Sequence, residues 1–283
     1  MMSRAAYASL GLAIASTERP IEAASEKRWF KIGACDWSLG KGDPSCFEVA
    51  KQVGLDGVQV NMGGASNDMH LRRPEIQKAY LDAAKAQGLE VASLALGELN
   101  GVPLASEPRA AIWLLDSIEV ARALKVQVIL MAFFGKGEVR PDDKEKMDRL
   151  VGILKEVAPR AEKAGVILGL ENYLSAEENL KIIDRVGSPA LQVYYDVGNS
   201  TDKGYDILKE IRLLGRKRIC EFHAKDGKHL LGKGRIDFKK VREAMDDIGF
   251  SGWIQIEAAA PNGILVDYKT NLEYLRGLFP REV

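Results

Sequence analysis

The sequence of 283 residues predicts one closed (β/α)8 barrel, a TIM barrel, as its fold class. Three observations point there. Short β-rich runs alternate eight times with amphipathic stretches, a glycine closes most of those stretches, and four consecutive apolar runs end on an ionisable residue. Closing eight parallel strands on themselves leaves no exposed sheet edge, which makes the barrel the natural solution for this pattern.

In chain order the strands are expected at residues 31–36, 57–61, 91–96, 126–133, 166–171, 192–196, 219–223 and 253–257. Their apolar character is that of strands buried on both faces. The helices between them carry start signals: proline in the first turn at Asp43-Pro44, Glu107-Pro108 and Pro141-Asp142-Asp143, and a capping-box pattern at Ser175 and Glu178. Gly54, Gly88, Gly165, Gly187, Gly215 and Gly249 each follow a helical stretch and precede a strand, as left-handed caps do.

Residues 29–283 therefore form a single barrel domain, and residues 1–28 stand apart from it. Arg4 precedes a small apolar stretch at 5–16, followed by Ala23-Ala24-Ser25, which is the order of parts in a short export signal. Tyr7, Ser9 and many alanines make that stretch weakly hydrophobic, so an N-terminal arm fits comparably well. Location stays open between the cytoplasm and, with export, the periplasm.

No segment reaches the run of about 18 apolar residues that spans a bilayer, so no membrane span is expected. Forty basic residues balance forty acidic ones, and the densest basic cluster is Arg216-Lys217-Arg218, which argues against nucleic acid and for a small-molecule partner. Cys35, Cys46 and Cys220 lack CxxC spacing and are read as core thiols.

The ionisable residues that end the last four apolar runs are Glu171, Asp196, His223 and Glu257. A barrel gathers its chemistry at the C-terminal ends of its strands, so parallel neighbours would bring three carboxylates and one imidazole to one face. Singly, each would usually be a salt-bridge or hydrogen-bonding group. Four in register form a metal site, because unpaired buried carboxylates repel and need a cation. The donor set suits Mn2+ first, with Mg2+, Co2+ and Zn2+ as alternatives.

Around this set, Trp37, Phe133 and Phe134 are expected either to form an apolar wall for a bound ligand or to pack the barrel mouth. Lys225 is placed either to neutralise a developing oxyanion or to pair with Asp226. His70 and His229 are read as loop residues. Gly135-Lys136-Gly137 and Gly232-Lys233-Gly234 lack a P-loop or Rossmann pattern and are read as ordinary turns.

Five motifs carry a family resemblance: Leu170-Glu171-Asn172, Tyr195-Asp196-Val197-Gly198-Asn199, Phe222-His223-Ala224-Lys225-Asp226, Leu231-Gly232-Lys233-Gly234-Arg235-Ile236-Asp237 and Ile256-Glu257. In this order and spacing the chain resembles, over about residues 31–279, the xylose-isomerase-like barrels of sugar phosphate isomerases and epimerases, which include the ketose 3-epimerases. The resemblance implies a carbohydrate substrate, with Glu171 and Glu257 serving both as metal ligands and as acid/base groups on opposite faces of the sugar. Epimerisation beside a carbonyl needs a base on one face, an acid on the other and a cation for the enediolate oxygens.

The resemblance also implies substrate contacts at Asn199, Arg235 and Glu177, and a homo-oligomer, although no apolar stripe in the sequence marks an interface. Asn199 departs from the histidine usual there in ketose 3-epimerases, and Glu177 reads equally well as a first-turn helix acid. That departure keeps an alternative open: a metal-dependent lyase, dehydratase or glycoside-cleaving enzyme acting on a keto-sugar. A multi-zinc nuclease would need many more histidines than the three present. A sugar-binding barrel without turnover would have no use for the metal set.

Overall fold

The computed structural model describes residues 28–282. The arm or export signal expected at residues 1–28 therefore lies outside the described residues, apart from Arg28. The strands are β1 (Phe30–Cys35), β2 (Gly57–Asn61), β3 (Glu90–Leu96), β4 (Val128–Ala132), β5 (Ile167–Glu171), β6 (Leu191–Asp196), β7 (Ile219–Ala224) and β8 (Gly252–Ile256). The helices are α1 (Cys46–Val53), α2 (Pro74–Gln87), α3 (Pro108–Leu124), α4 (Lys144–Ala164), α5 (Ala176–Val186), α6 (Val197–Asp202), α7 (Ile207–Leu214), α8 (Phe238–Asp247) and α9 (Ile264–Leu278). Each strand pairs in parallel with its sequence neighbours, and β8 returns to β1 to close the barrel.

The fourth strand is shorter than the sequence suggests. The Val126 N–H caps the end of α3 on the Ala121 carbonyl, and Phe133 has already left the β4 ladder, although its N–H still reaches the Glu171 carbonyl. Most helices end on the expected glycines, with Gly54, Gly88, Gly165 and Gly187 in the left-handed conformation. α3 departs from this pattern, for Lys125 takes the left-handed cap at φ 61°.

Strand side chains alternate in and out, and the two sets meet different partners. Outward residues such as Ile32, Val58, Leu94, Ile129 and Leu168 join helix residues such as Trp113, Leu114, Leu150 and Leu154 in one continuous apolar core. Inside the barrel, Ala95, Val128, Leu130, Ala132 and Tyr194 form a smaller apolar cluster. Beside it lie the buried polar residues Gln59, Ser93, Glu221 and Gln255. Cys35, Cys46 and Cys220 are free, buried thiols, as expected.

The closure is clamped by Asp56, whose carboxylate accepts from the Ile32 N–H at 2.8 Å and pairs with Arg276 of α9 and with Arg281 at 2.9 Å. At the entry of α5, the Ser175 hydroxyl accepts from the Glu178 N–H while the Glu178 carboxylate accepts from the Ser175 N–H at 2.9 Å. Ser175→Ala is expected to cost about 1 kcal/mol of unfolding free energy, read from the urea midpoint. An unchanged midpoint would show that this cap contributes nothing.

Candidate metal centre and active site

The four ionisable strand ends converge. Glu171 and Asp196 are the last residues of β5 and β6, His223 lies near the end of β7, and Glu257 follows β8 directly. One ligand atom from each lies within 4.8 Å of all the others. His223 Nδ1 stands 2.9 Å from Glu171 Oε1, 3.5 Å from Glu257 Oε2 and 3.7 Å from Asp196 Oδ2.

Local backbone chemistry aims each group. Asp196 caps α6, its Oδ1 accepting from the Gly198 and Asn199 N–H groups at 2.7 and 2.8 Å, which leaves Oδ2 turned to the centre. Oδ2 is buried and makes no directed hydrogen bond among the described residues, although the Lys225 ammonium lies 2.7 Å away as an ion pair. Lys225 also donates to Glu257 Oε2 at 2.8 Å, and the Trp37 indole N–H donates to Glu257 Oε1 at the same distance. Gly198 makes this possible, because a Cβ there would stand 2.4 Å from Lys225 Cγ.

The charges compensate one another. Burial pushes the Glu171 carboxyl up to about 7, partly offset by His223. Burial acts the same way on Asp196, but His223 and Lys225 outweigh it and hold that group at about 2. Burial opposes charge on His223, yet the surrounding carboxylates hold its pKa well above the ordinary imidazole value. A divalent cation bound here would displace the Nδ1 proton and be matched by carboxylate oxygens. Three oxygens and one imidazole nitrogen, with a buried oxygen short of a directed partner, fit such an ion.

Beneath the centre, a hydrogen-bonded layer sets the orientation of His223. Glu221 Oε2 accepts from the Ser93 and Tyr194 hydroxyls, each at 2.9 Å. Those hydroxyls in turn accept from Gln59 Nε2, each at 3.0 Å. The amide direction of Gln59 is thereby fixed, so its Oε1 faces His223 Nε2 at 2.8 Å and must receive a proton from it. Nδ1 is left as the nitrogen that faces the carboxylates. Gly169 makes room for this layer, since a Cβ there would stand 3.1 Å from Tyr194 Cβ.

Above the centre opens a cavity of about 740 Å3 whose lining includes Trp37, Phe134, Tyr173, Asn199, Glu171 and Glu257. With this geometry the comparison with known proteins is decisive: residues 47–278 match the family described as xylose isomerase-like TIM barrel. The chain belongs to that family. The 2-epi-5-epi-valiolone 7-phosphate 2-epimerase of Actinoplanes sp. is 25% identical over 225 residues, 76% of this chain and 82% of that protein. The L-ribulose 3-epimerase of Mesorhizobium japonicum is 24% identical over 227 residues, 75% of this chain and 71% of that protein. In fold, the D-allulose 3-epimerase of Methylomonas sp. in complex with D-allulose aligns with a TM-score of 0.74 at 17% identity, over 89% of this chain and 98% of that one.

This xylose isomerase-like barrel brings only some of the expected substrate residues to the cavity. Asn199, Lys225 and Trp37 line it. Arg235 does not, being exposed and paired with Asp202. Glu177 does not either, because it lies exposed on the first turn of α5. The motif around Arg235 organises a loop instead: Asp226 accepts from the Arg235 and Ile236 N–H groups, and Asp237 caps α8. Lys225 pairs with Asp196 and Glu257 rather than with Asp226. Phe134 lines the cavity, whereas Phe133 is buried in the outer core. His70 lines it as well, and neither Gly-Lys-Gly loop does.

Sequence reasoning missed Gln59, Tyr194, Glu221 and Gln255. The signal was present, for Tyr194, Glu221 and Gln255 each sit two residues before a centre residue and therefore on the same face of the strand. It also missed Asp36, which is 1% exposed, accepts from the Asn61 N–H and has a second oxygen without a hydrogen-bond partner among the described residues.

Gln59→Leu, which removes the acceptor for His223 Nε2, is expected to weaken Mn2+ affinity about 10- to 100-fold by calorimetry. Unaltered affinity would refute the orienting role. Burial raises Asp36 from 3.8 to about 7. Because its folded pKa lies above the unfolded one, the stability it contributes is fully present below the unfolded value and is lost as pH rises through the folded one. Asp36→Asn should therefore flatten the fall in stability between about pH 4 and about pH 8, by up to roughly 4 kcal/mol. Parallel pH-stability curves for the two proteins would count against this.

Proposed function

We propose that the protein is a divalent-cation-dependent epimerase or isomerase of a sugar or sugar derivative that moves a proton at a carbon beside a carbonyl. The observation that carries this reading is the placement of Glu171 and Glu257 on non-adjacent strands, both lining one cavity and both within reach of His223 Nδ1. The epimerases among its relatives support the same class. In this reading Glu171, Asp196, His223 and Glu257 hold the cation, with Mn2+ the first choice for an oxygen-rich set containing one imidazole.

When bound, the cation supplies Lewis-acid polarisation of the carbonyl and hydroxyl oxygens beside the reacting carbon. Glu171, at the end of β5, faces the cavity from one side and is the group that exchanges a proton with that face of the sugar. Glu257 takes the other face, its carboxylate held by the Trp37 indole and the Lys225 ammonium so that its approach is fixed. Lys225 further offsets negative charge that develops on the substrate oxygens. Trp37 and Asn199 complete the binding surface, one as an apolar wall and the other as a hydrogen-bonding amide. The keto-sugar lyase alternative has no observation of its own to favour it.

The test is deuterium incorporation from D2O into a panel of ketoses, with metal content measured alongside. Glu171→Gln and Glu257→Gln are each expected to reduce exchange at least about a thousand-fold, the loss of a proton-transfer group combined with loss of a ligand charge. His223→Ala is expected to lower bound metal. A fully active, metal-free His223→Ala protein would overturn the metal-dependent reading.

A further inference from the structure

The cavity has two halves, and the proton-transfer groups proposed above occupy one of them. Glu171, Tyr173, Asn199, Lys225 and Glu257 belong to the β5–β8 side. Across the mouth, the end of β2 and the loops after β2 and β3 present Asn61, Asn67, His70, Glu98 and Asn100. Asn61 Oδ1 accepts from the Gly63 N–H at 2.9 Å and Asn100 Oδ1 from the Phe134 N–H at 2.8 Å, so both amides are fixed with their NH2 groups unspent on these bonds. Two glycines keep side chains off the wall. A Cβ at Gly97 would stand 2.8 Å from Asn61 Nδ2, and one at Gly64 would stand 2.6 Å from Glu98 Oε2.

The charge of this wall discriminates between ligands. The cavity is lined by the carboxylic groups of Asp36, Glu98, Glu171 and Glu257 against the ammonium groups of Lys41 and Lys225, and among the described residues no arginine lines it. Lys225 is engaged by Asp196 and Glu257. Burial lowers the pKa of His70, which favours its neutral form. A phosphate ester needs convergent cationic or N–H donors, whereas sugar hydroxyls are matched by mixed amide and carboxylate groups of this kind. Size points the same way: about 740 Å3 lies well inside the roughly 300–1,000 Å3 of pockets that enclose drug-sized ligands, which are larger than one hexose.

We infer that the β1–β4 half of the cavity is a subsite for a second, uncharged sugar unit. The substrate is then an unphosphorylated keto-sugar glycosylated on carbons remote from its carbonyl. This inference rests on the function proposed above for the β5–β8 half. Glu98 and Asn61 read hydroxyls of the second unit as acceptor and donor, respectively.

The test compares the stereoisomers of a free ketohexose, the same sugars esterified with phosphate at the terminal carbon, and the same sugars glycosylated there, using the full chain loaded with Mn2+. Both solvent-deuterium exchange and calorimetric binding are measured. The glycosylated sugar is expected to exchange with kcat/KM about ten-fold above the free sugar, with the phosphate ester the poorest. Glu98→Ala should bring the ratio of glycosylated to free sugar toward one. A phosphate ester preferred over the free sugar, or a free sugar handled as well as the glycosylated one, would overturn the inference. Tighter binding of the glycosylated sugar without exchange would support the subsite and sink only the proposed reaction. Equal binding of all three would sink the subsite.

Discussion

Three carboxylates and an imidazole drawn within 4.8 Å of one another impose the constraint on which the mouth of this barrel depends. In a buried setting such carboxylates repel strongly, and each must be matched by a positive partner or take up a proton. The chain answers in three ways. Asp196 stays charged against His223 and Lys225, Glu171 sits near its own titration point, and Glu257 is met by one ammonium and one indole N–H. A divalent cation is the simplest further response to the same imbalance.

The constraint reaches down into the barrel. His223 is useful at the centre only if its ring presents Nδ1 upward, and the ring is held that way by Gln59, whose own direction is set by Ser93, Tyr194 and Glu221. Strand interiors that would ordinarily hold layers of branched apolar side chains carry a polar floor instead. The apolar residues Val128, Leu130 and Ala132 of β4 leave one side of the interior free of such groups, while the polar layer lies under the four converging side chains. A hydrogen-bonded floor is costly to bury unless its members are paired, and here most of them are.

The barrel and its four converging strand ends were legible in the sequence because both are written in local, periodic terms. Apolar runs, glycine caps and the Ser175–Glu178 box each act within a few residues. What escaped was set by contacts between distant segments. Gln59 becomes informative only once β2 is known to sit across the barrel from His223, 164 residues away. Arg235 and Glu177 were read from motif position, and the folded loops turn Arg235 to Asp202 and leave Glu177 on the surface of α5. Phe133 and Phe134 are adjacent in sequence, yet the end of β4 sends one into the core and the other to the cavity.

The bond between the Trp37 indole and Glu257 joins residues 220 positions apart, across the seam where β1 meets β8. Synthesis proceeds from the N-terminus, so the strand that delivers Glu257 is the last of the eight to leave the ribosome. Until then the nascent chain carries a gathering of acids that lacks its final member, with the indole that will steady it already made. Assembly of the centre therefore waits for β8, and a chain cut short before that strand would have neither a closed sheet nor the carboxylate of Glu257.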